Sequence, residues 1–195
     1  MPLREPKLSD GVVTLSPLHP DDAEAHLAGE DDLLVRWLNG GPGTRAGVET
    51  YLRHCQDQWT TAGPLRAFGI RTGSDDTLAG TLDLRFAGED LAPGEVNIAY
   101  GLYPHGRGRG LATRAVLLSL PYAAAEGGQQ ALIQADPANA TSAAVARRAG
   151  FTTAGRRHTS HGGLLDRYTR DLRALDRASN ATTWRCPPAP DGGRG

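Results

Sequence analysis

Arg107-Gly108-Arg109-Gly110-Leu111-Ala112 is the stretch from which the rest of the chain can be read. It follows residues 95–103 (EVNIAYGLY), where Val96, Ile98, Tyr100 and Leu102 share one face of a strand and Glu95, Asn97, Ala99 and Gly101 the other. It precedes residues 111–126, which read as a helix, with Pro121 expected to kink it or end it early. Glycines between a strand and a helix let main-chain N–H groups turn inward and a ligand approach closely. The helix behind them offers free N–H groups and the positive end of its dipole. The product is an anion site suited to a diphosphate, to which Arg107 and Arg109 can add charge if they point that way.

Working outward, residues 11–18 alternate as a first strand, and Pro20-Asp21-Asp22 opens a short helix. Residues 31–38 suggest a second helix with Leu34, Trp37 and Leu38 on one face, and residues 44–60 a third with Val48, Tyr51, Leu52, Cys55 and Trp59 as its apolar stripe. Residues 65–71 and 78–86 are strands, and Thr81, Asp83 and Arg85 share a face of the latter. Downstream come a strand at 130–135, a helix at 139–149 closed by Gly150, and strands at 151–158 and 165–172. Both late helices are expected to join neighbouring strands, as crossover units do. The reading is one α/β (mixed α+β) domain over residues 11–175, with a lead-in at 1–10 and a disordered tail at 176–195.

Composition narrows the possibilities. The 195 residues carry a net charge of −1, with 39% hydrophobic and 22% charged residues, which argues against a globally basic nucleic-acid binder and against wholesale disorder. Cys55 and Cys186 are too few for a disulfide framework or a four-cysteine zinc site, and His158-x-x-His161 lacks further ligands at metal spacing, so no metal is expected. Lys7 is the only lysine and lies in no glycine-rich loop, which excludes a P-loop nucleotide site. No apolar run approaches the roughly 20 residues of a membrane helix, and the first ten residues lack a signal-peptide core, so a cytoplasmic location is expected.

Three readings of the glycine stretch compete: a plain turn, a dinucleotide fingerprint and a coenzyme A site. The fingerprint G-x-G-x-x-G fails, because the sixth residue from Gly106 is Leu111 and from Gly108 is Thr113. The run from Tyr100 to Ala112 resembles motif A of the GNAT superfamily of N-acetyltransferases, (Gln/Arg)-x-x-Gly-x-(Gly/Ala), with Arg107, Gly110 and Ala112 at its fixed positions. Downstream, Asn139-Ala140-Thr141-Ser142 and Gly150-Phe151 resemble the family's motif B. The Asn-x-x-Ser form, with Asp166 and Tyr168 in the last strand, is most similar to the RimJ/RimL-type branch. The chain departs from that branch at Asn97, where a glutamate is frequent, and at Ala154-Gly155, where many members carry Glu-Gly.

The resemblance implies a GNAT fold: a mixed, mostly antiparallel twisted sheet, flanked by helices and splayed at the strand before the glycine turn. It implies acetyl transfer from acetyl-CoA, as co-substrate, to a primary amine on a small molecule or protein N-terminus, and homodimers are common in the branch. It assigns the coenzyme to Leu102, Tyr103, Arg107, Gly108, Arg109, Gly110, Leu111, Ala112, Thr113, Asn139 and Ser142. Ser142 resembles the serine that stabilises the leaving thiolate, although Asn139 and Ser142 also suit a helix cap.

The amine must be neutral to attack. At pH 7 a lysine-type amine costs about 4.6 kcal/mol to deprotonate and an α-amine about 1 kcal/mol. Glu95 and Asp83 are the candidate bases, and only geometry can choose between them. Holding amine and thioester in attack geometry supplies a further ~7–11 kcal/mol. A binding-only acyl-CoA protein on the same fold, or a transferase using another acyl group, remain alternatives.

Overall fold

The computed structural model describes residues 5–159 and 163–175. Among the described residues, strand alternation and turn chemistry generate eight strands: β1 (Leu8–Ser9), β2 (Val13–Pro17), β3 (Leu65–Thr72), β4 (Thr77–Arg85), β5 (Glu95–Leu102), β6 (Gln130–Ala135), β7 (Thr152–His158) and β8 (Leu164–Asp171). They form one sheet in the order β1-β2-β3-β4-β5-β6-β8-β7, antiparallel throughout except for the parallel pair β5–β6.

The helices are α1 (Ala23–Gly29), α2 (Asp32–Leu34), α3 (Arg45–Thr60), α4 (Leu111–Ala125) and α5 (Ala140–Arg148). One face of the sheet packs Phe68, Leu82, Val96 and Ile98 against Leu111, Val116 and Leu120 of α4. The small residues Ala112, Ala115 and Ala123 let α4 lie close to the strands. The opposite face carries a second core, in which Leu65 and Ala67 meet Val48, Leu52 and Cys55 of α3. Each fully buried leucine contributes roughly 1.5–3 kcal/mol through removal of its surface from water.

Three expectations are corrected. The helix expected over residues 31–38 is a single α-turn that widens into a π-helix, Val35–Asn39, closed by the Gly40 N–H on the Val35 carbonyl at 2.9 Å. That winding breaks the expected apolar stripe: Leu34 is buried, whereas Leu38 is 40% exposed. Pro121 does not end α4, which runs on to Ala125. Pro121 is exposed and the residue whose carbonyl it frees, Leu117, is itself 41% exposed, so water can serve that carbonyl. Finally, α4 joins the neighbours β5 and β6, but α5 joins β6 to β7 with β8 lying between them. The all-exposed β7 takes the edge, and β8, which buries Tyr168, takes the interior position.

The parallel pairing of β5 with β6 is confined to Glu95, Asn97 and the residue between them. Residues 98–102 continue as strand, paired to β4 alone. The sheet therefore splays open between β5 and β6, just ahead of the glycine-rich turn. The tail expected at 176–195, Cys186 and His161 lie outside the described residues.

Candidate active site

The turn after β5 is built by its own hydrogen bonds. The Tyr103 N–H binds the Ala79 carbonyl at 2.9 Å, and a 3-10 turn, Pro104–Gly106, follows. Gly106 is pressed to the neighbouring strand: a Cβ there would stand 2.9 Å from the Ala79 carbonyl oxygen. Gly108 and Gly110 both adopt φ of +73°, with open space around each, so their need for glycine is conformational. Gly110 is the N-cap of α4, and the Arg114 N–H is bonded to its carbonyl at 3.2 Å. The amides of Leu111, Ala112 and Thr113 precede any intrahelical partner, and the first turn of α4 holds no acidic residue. This cradle fits a diphosphate. Beside it, Gly110, Thr113, Arg114, Leu117, Pro121 and Arg148 line a groove of about 690 Å³.

The two arginines of the turn part company. Arg109 is exposed and donates no hydrogen bond among the described residues. Arg107 turns away, donating to both carboxylate oxygens of Asp31 at 2.6 and 2.8 Å and through Nε to the Leu102 carbonyl at 2.9 Å. Asp31 also accepts from the Leu34 N–H as the N-cap of α2, and the Arg107 hydrogen bond holds its carboxyl down at about 2. Arg107 thus ties the turn to α2, and its guanidinium is not aimed at the cradle. The Tyr103 side chain likewise turns away, toward α1. Its ring lies against Gly29, and its hydroxyl meets His26 Nδ1 at 2.7 Å.

On the α4 and α5 side of the splay, Asn139 caps α5 by accepting the Ser142 N–H at 3.0 Å. That cap brings the Ser142 hydroxyl within 3.0 Å of the Tyr100 hydroxyl, which also donates to the Ser142 carbonyl at 3.2 Å. Burial pushes the Tyr100 phenol up to about 12, so it stays protonated and able to donate. Sequence reasoning missed the Tyr100 hydroxyl. The apolar alternation of β5 marks Tyr100 as core, and nothing local signals a serine on α5 facing it.

On the opposite face, Asp83 sits directly across from Ala99, within the splayed length of β5. The Tyr51 hydroxyl lies 3.2 Å from each of its carboxylate oxygens. Burial pushes Asp83 up to about 6, against the opposing pull of the Tyr51 hydrogen bond and the Arg85 charge. The phenol of Tyr51 and the thiol of Cys55 are both pushed up by burial, Cys55 to about 12. Glu95, the other candidate base, is engaged elsewhere: it accepts from Arg167 at 3.0 and 3.2 Å and from the Ala92 N–H at 3.0 Å. It lies four residues before Ala99, about 13 Å back along β5, where that strand is still paired to β6. The amide of Asn97 is bonded to Gln134 at 3.3 Å. His54 is exposed while Cys55 is buried, so they form no nucleophile pair. Trp59 is core, donating to the Ala67 carbonyl at 3.0 Å.

Among the described residues there is no group of three potential metal ligands, and no helix is long and apolar enough to cross a membrane.

A sheet opened beside a diphosphate cradle, with hydroxyls on one side and a carboxylate on the other, is the architecture of an acyl-coenzyme A transferase. The family model described as an acetyltransferase (GNAT) domain matches residues 13–152, and the chain belongs to that family of acetyltransferases. No curated protein sequence matches it. Among solved structures, a probable GNAT-family acetyltransferase from Chromobacterium violaceum is 24% identical with a TM-score of 0.73, covering 89% of this chain and 90% of that one. An acetyltransferase from Salmonella typhimurium, which modifies the N-terminal serine of ribosomal protein L7/L12, is 17% identical with a TM-score of 0.72, covering 85% and 99%. The microcin C7 self-immunity acetyltransferase MccE, solved with acetyl-CoA and AMP, is 17% identical with a TM-score of 0.69, covering 84% and 98%. At these identities the likeness is one of fold.

Proposed function

We propose that this chain, through a domain spanning residues 11–175, moves an acetyl group from acetyl-CoA to a primary amine that attacks the thioester directly. The observation that carries this is the arrangement of hydroxyls and carboxylate on the two sides of one splayed strand, Tyr100 with Ser142 on one and Asp83 on the other. The cradle amides of Leu111, Ala112 and Thr113, with Gly108 and Gly110, would hold the diphosphate. The coenzyme supplies an acyl carbon activated by a thiolate leaving group.

The chain's own groups perform the remaining tasks. Asp83 accepts the proton that the ammonium must lose, and with its carboxyl held at about 6 it is ionised at neutral pH yet remains a better base than an exposed aspartate. Tyr51 holds that carboxylate in place. With the Tyr100 proton turned onto its oxygen, and with the Asn139 cap holding its main chain, the Ser142 hydroxyl is free to offer its own proton toward sulfur. A hydroxyl is too weak an acid to surrender that proton outright, so its role is to donate a hydrogen bond. Glu95, held by Arg167, is assigned to bracing the start of β5.

The test is calorimetric titration with acetyl-CoA, followed by thiol release across a panel of amines. Absence of binding at millimolar coenzyme would end the proposal. Binding without release from any amine would favour a binding-only protein, and the product mass identifies the acyl group.

A further inference from the structure

Successive rungs of β4 and β5 present Thr81 with Gly101, Asp83 with Ala99, and Arg85 with Asn97 to the face that carries α1 and α3. At one end of this row the π-helix closes in: a Cβ on Gly101 would stand 2.5 Å from Leu34 and 2.9 Å from Leu38. Leu38 nonetheless keeps 40% of its surface exposed, which makes it an apolar lip. At the other end stands Arg85.

Charges farther along this face are already paired. Glu95 is bound to Arg167 at 3.0 Å, and Asp90 to Arg157 at 2.8 Å. Asp83 and Arg85 are different. Asp83 has only the Tyr51 hydroxyl as a partner, and Arg85 is exposed and donates no hydrogen bond among the described residues. They lie two residues apart on one strand face, about 7 Å along the strand. The Arg85 charge is near enough to favour ionisation of Asp83.

An anion and a cation so spaced, each lacking a charged partner in hydrogen-bonding contact among the described residues, match a ligand of the reverse polarity. Resting on the reading of Asp83 as the partner of the acceptor amine, we propose that the acceptor is a free amino acid with an apolar side chain. Its amine lies at Asp83, its carboxylate at Arg85, and its side chain toward Leu38. In an α-amino acid the nitrogen and a carboxylate oxygen are about 2.5–3.5 Å apart. Charge-assisted hydrogen bonds of about 2.8 Å on either side, set at an angle, bridge the gap. The guanidinium fork suits a carboxylate, whereas the first residue of a protein carries an uncharged amide at that position.

The test compares leucine with leucinamide, and phenylalanine with phenylalaninamide, as acceptors in a thiol-release assay, together with a leucyl peptide. Each is measured with the wild-type chain and with Arg85→Gln and Arg85→Lys. Setting the variants against the wild type cancels the difference in amine basicity between acid and amide. We expect the acid-to-amide ratio of kcat/KM to fall about tenfold or more in Arg85→Gln, through KM for the acid, and part of the loss to return in Arg85→Lys. A ratio that does not move, or turnover of amides and peptide without turnover of either acid, overturns the proposal. Acetyl-CoA binding with no thiol release from any of these acceptors also overturns the proposal, and only the further absence of release across the wider amine panel overturns the acetyl-transfer reading beneath it.

Discussion

In the proposed reaction Asp83 answers to two opposed demands, chemistry and stability. Burial raises its carboxyl from an ordinary 3.8 to about 6, so the folded chain holds that proton more tightly than the unfolded one. Relative to an unperturbed group, the resulting contribution to stability is full below about 3.8 and is lost as pH rises through about 6. Above that window the folded chain carries a poorly solvated carboxylate at a cost on the order of 1–3 kcal/mol. Asp83→Asn keeps an oxygen to accept from Tyr51 and removes the charge. It should raise the melting temperature at pH 8 relative to the wild type but not at pH 4, as differential scanning calorimetry would register. The same variant should lose the acid limb of the kcat/KM profile near pH 6, because in the wild type the active, ionised base accumulates as pH rises. An unchanged limb would remove Asp83 from proton transfer.

Ser142 is the second residue whose role has a separable signature. If Ser142 acts as proposed, Ser142→Ala should lower kcat about tenfold or more while leaving the acetyl-CoA affinity within a few-fold, since the proposed hydrogen bond is needed only as charge builds on sulfur. Stopped-flow turnover and calorimetric binding separate the two quantities. Ser142 was singled out by the resemblance of Asn139-x-x-Ser142 to the family motif. Its partner Tyr100 was not, because the two are 42 positions apart and meet only across the opened strand.

At the scale of elements, the head of α4 is the piece most dependent on backbone conformation. Gly110 has φ of +73° and, among the described residues, nothing within 4 Å of a would-be Cβ, so a side chain there is opposed by the backbone and not by crowding. Gly110→Val should cost about 1–2 kcal/mol or more in stability and abolish measurable acetyl-CoA binding, because relieving the strain re-aims the free amides. Retained affinity in titration would mean that the diphosphate is held elsewhere. The strand, turn and helix around Gly110 could be read directly, since they depend on neighbours in sequence. The π-helix at Val35–Asn39 could not: its five residues carry ordinary helical spacing, and the wider winding is found only in the folded structure, where Leu34 and Leu38 pack over Gly101. That Pro121 does not end α4 has a similar reason, because the cost of a proline depends on whether solvent can reach the carbonyl it frees.

For the whole molecule, the sheet is held between two cores that must both form for the splay to exist. Phe68 is fully buried on the α4 side, with the rings of Trp59 and Tyr122 edge-on at 5.1 and 5.4 Å. Phe68→Ala should cost about 3–5 kcal/mol, through lost burial and the cavity left behind. That is a large fraction of the 5–15 kcal/mol typical of a domain, and a fall in the denaturant midpoint at unchanged slope would register it.

What the sequence determined unaided is whatever rests on short-range regularity: the strands from β2 onward, the helices α3, α4 and α5, the glycine turn with its amides, the cap at Asn139, and the faces that Asp83 and Tyr100 occupy. Alternation, capping and turn preference act over a few residues and so leave their mark in the residue order itself. The tertiary structure alone decided that β8 slips between β6 and β7, that Arg107 spends its charge on Asp31, 76 positions away, and that Tyr51 and burial together tune Asp83. Those outcomes depend on desolvation and on partners brought together from distant parts of the chain. Neither exists until the sheet has formed.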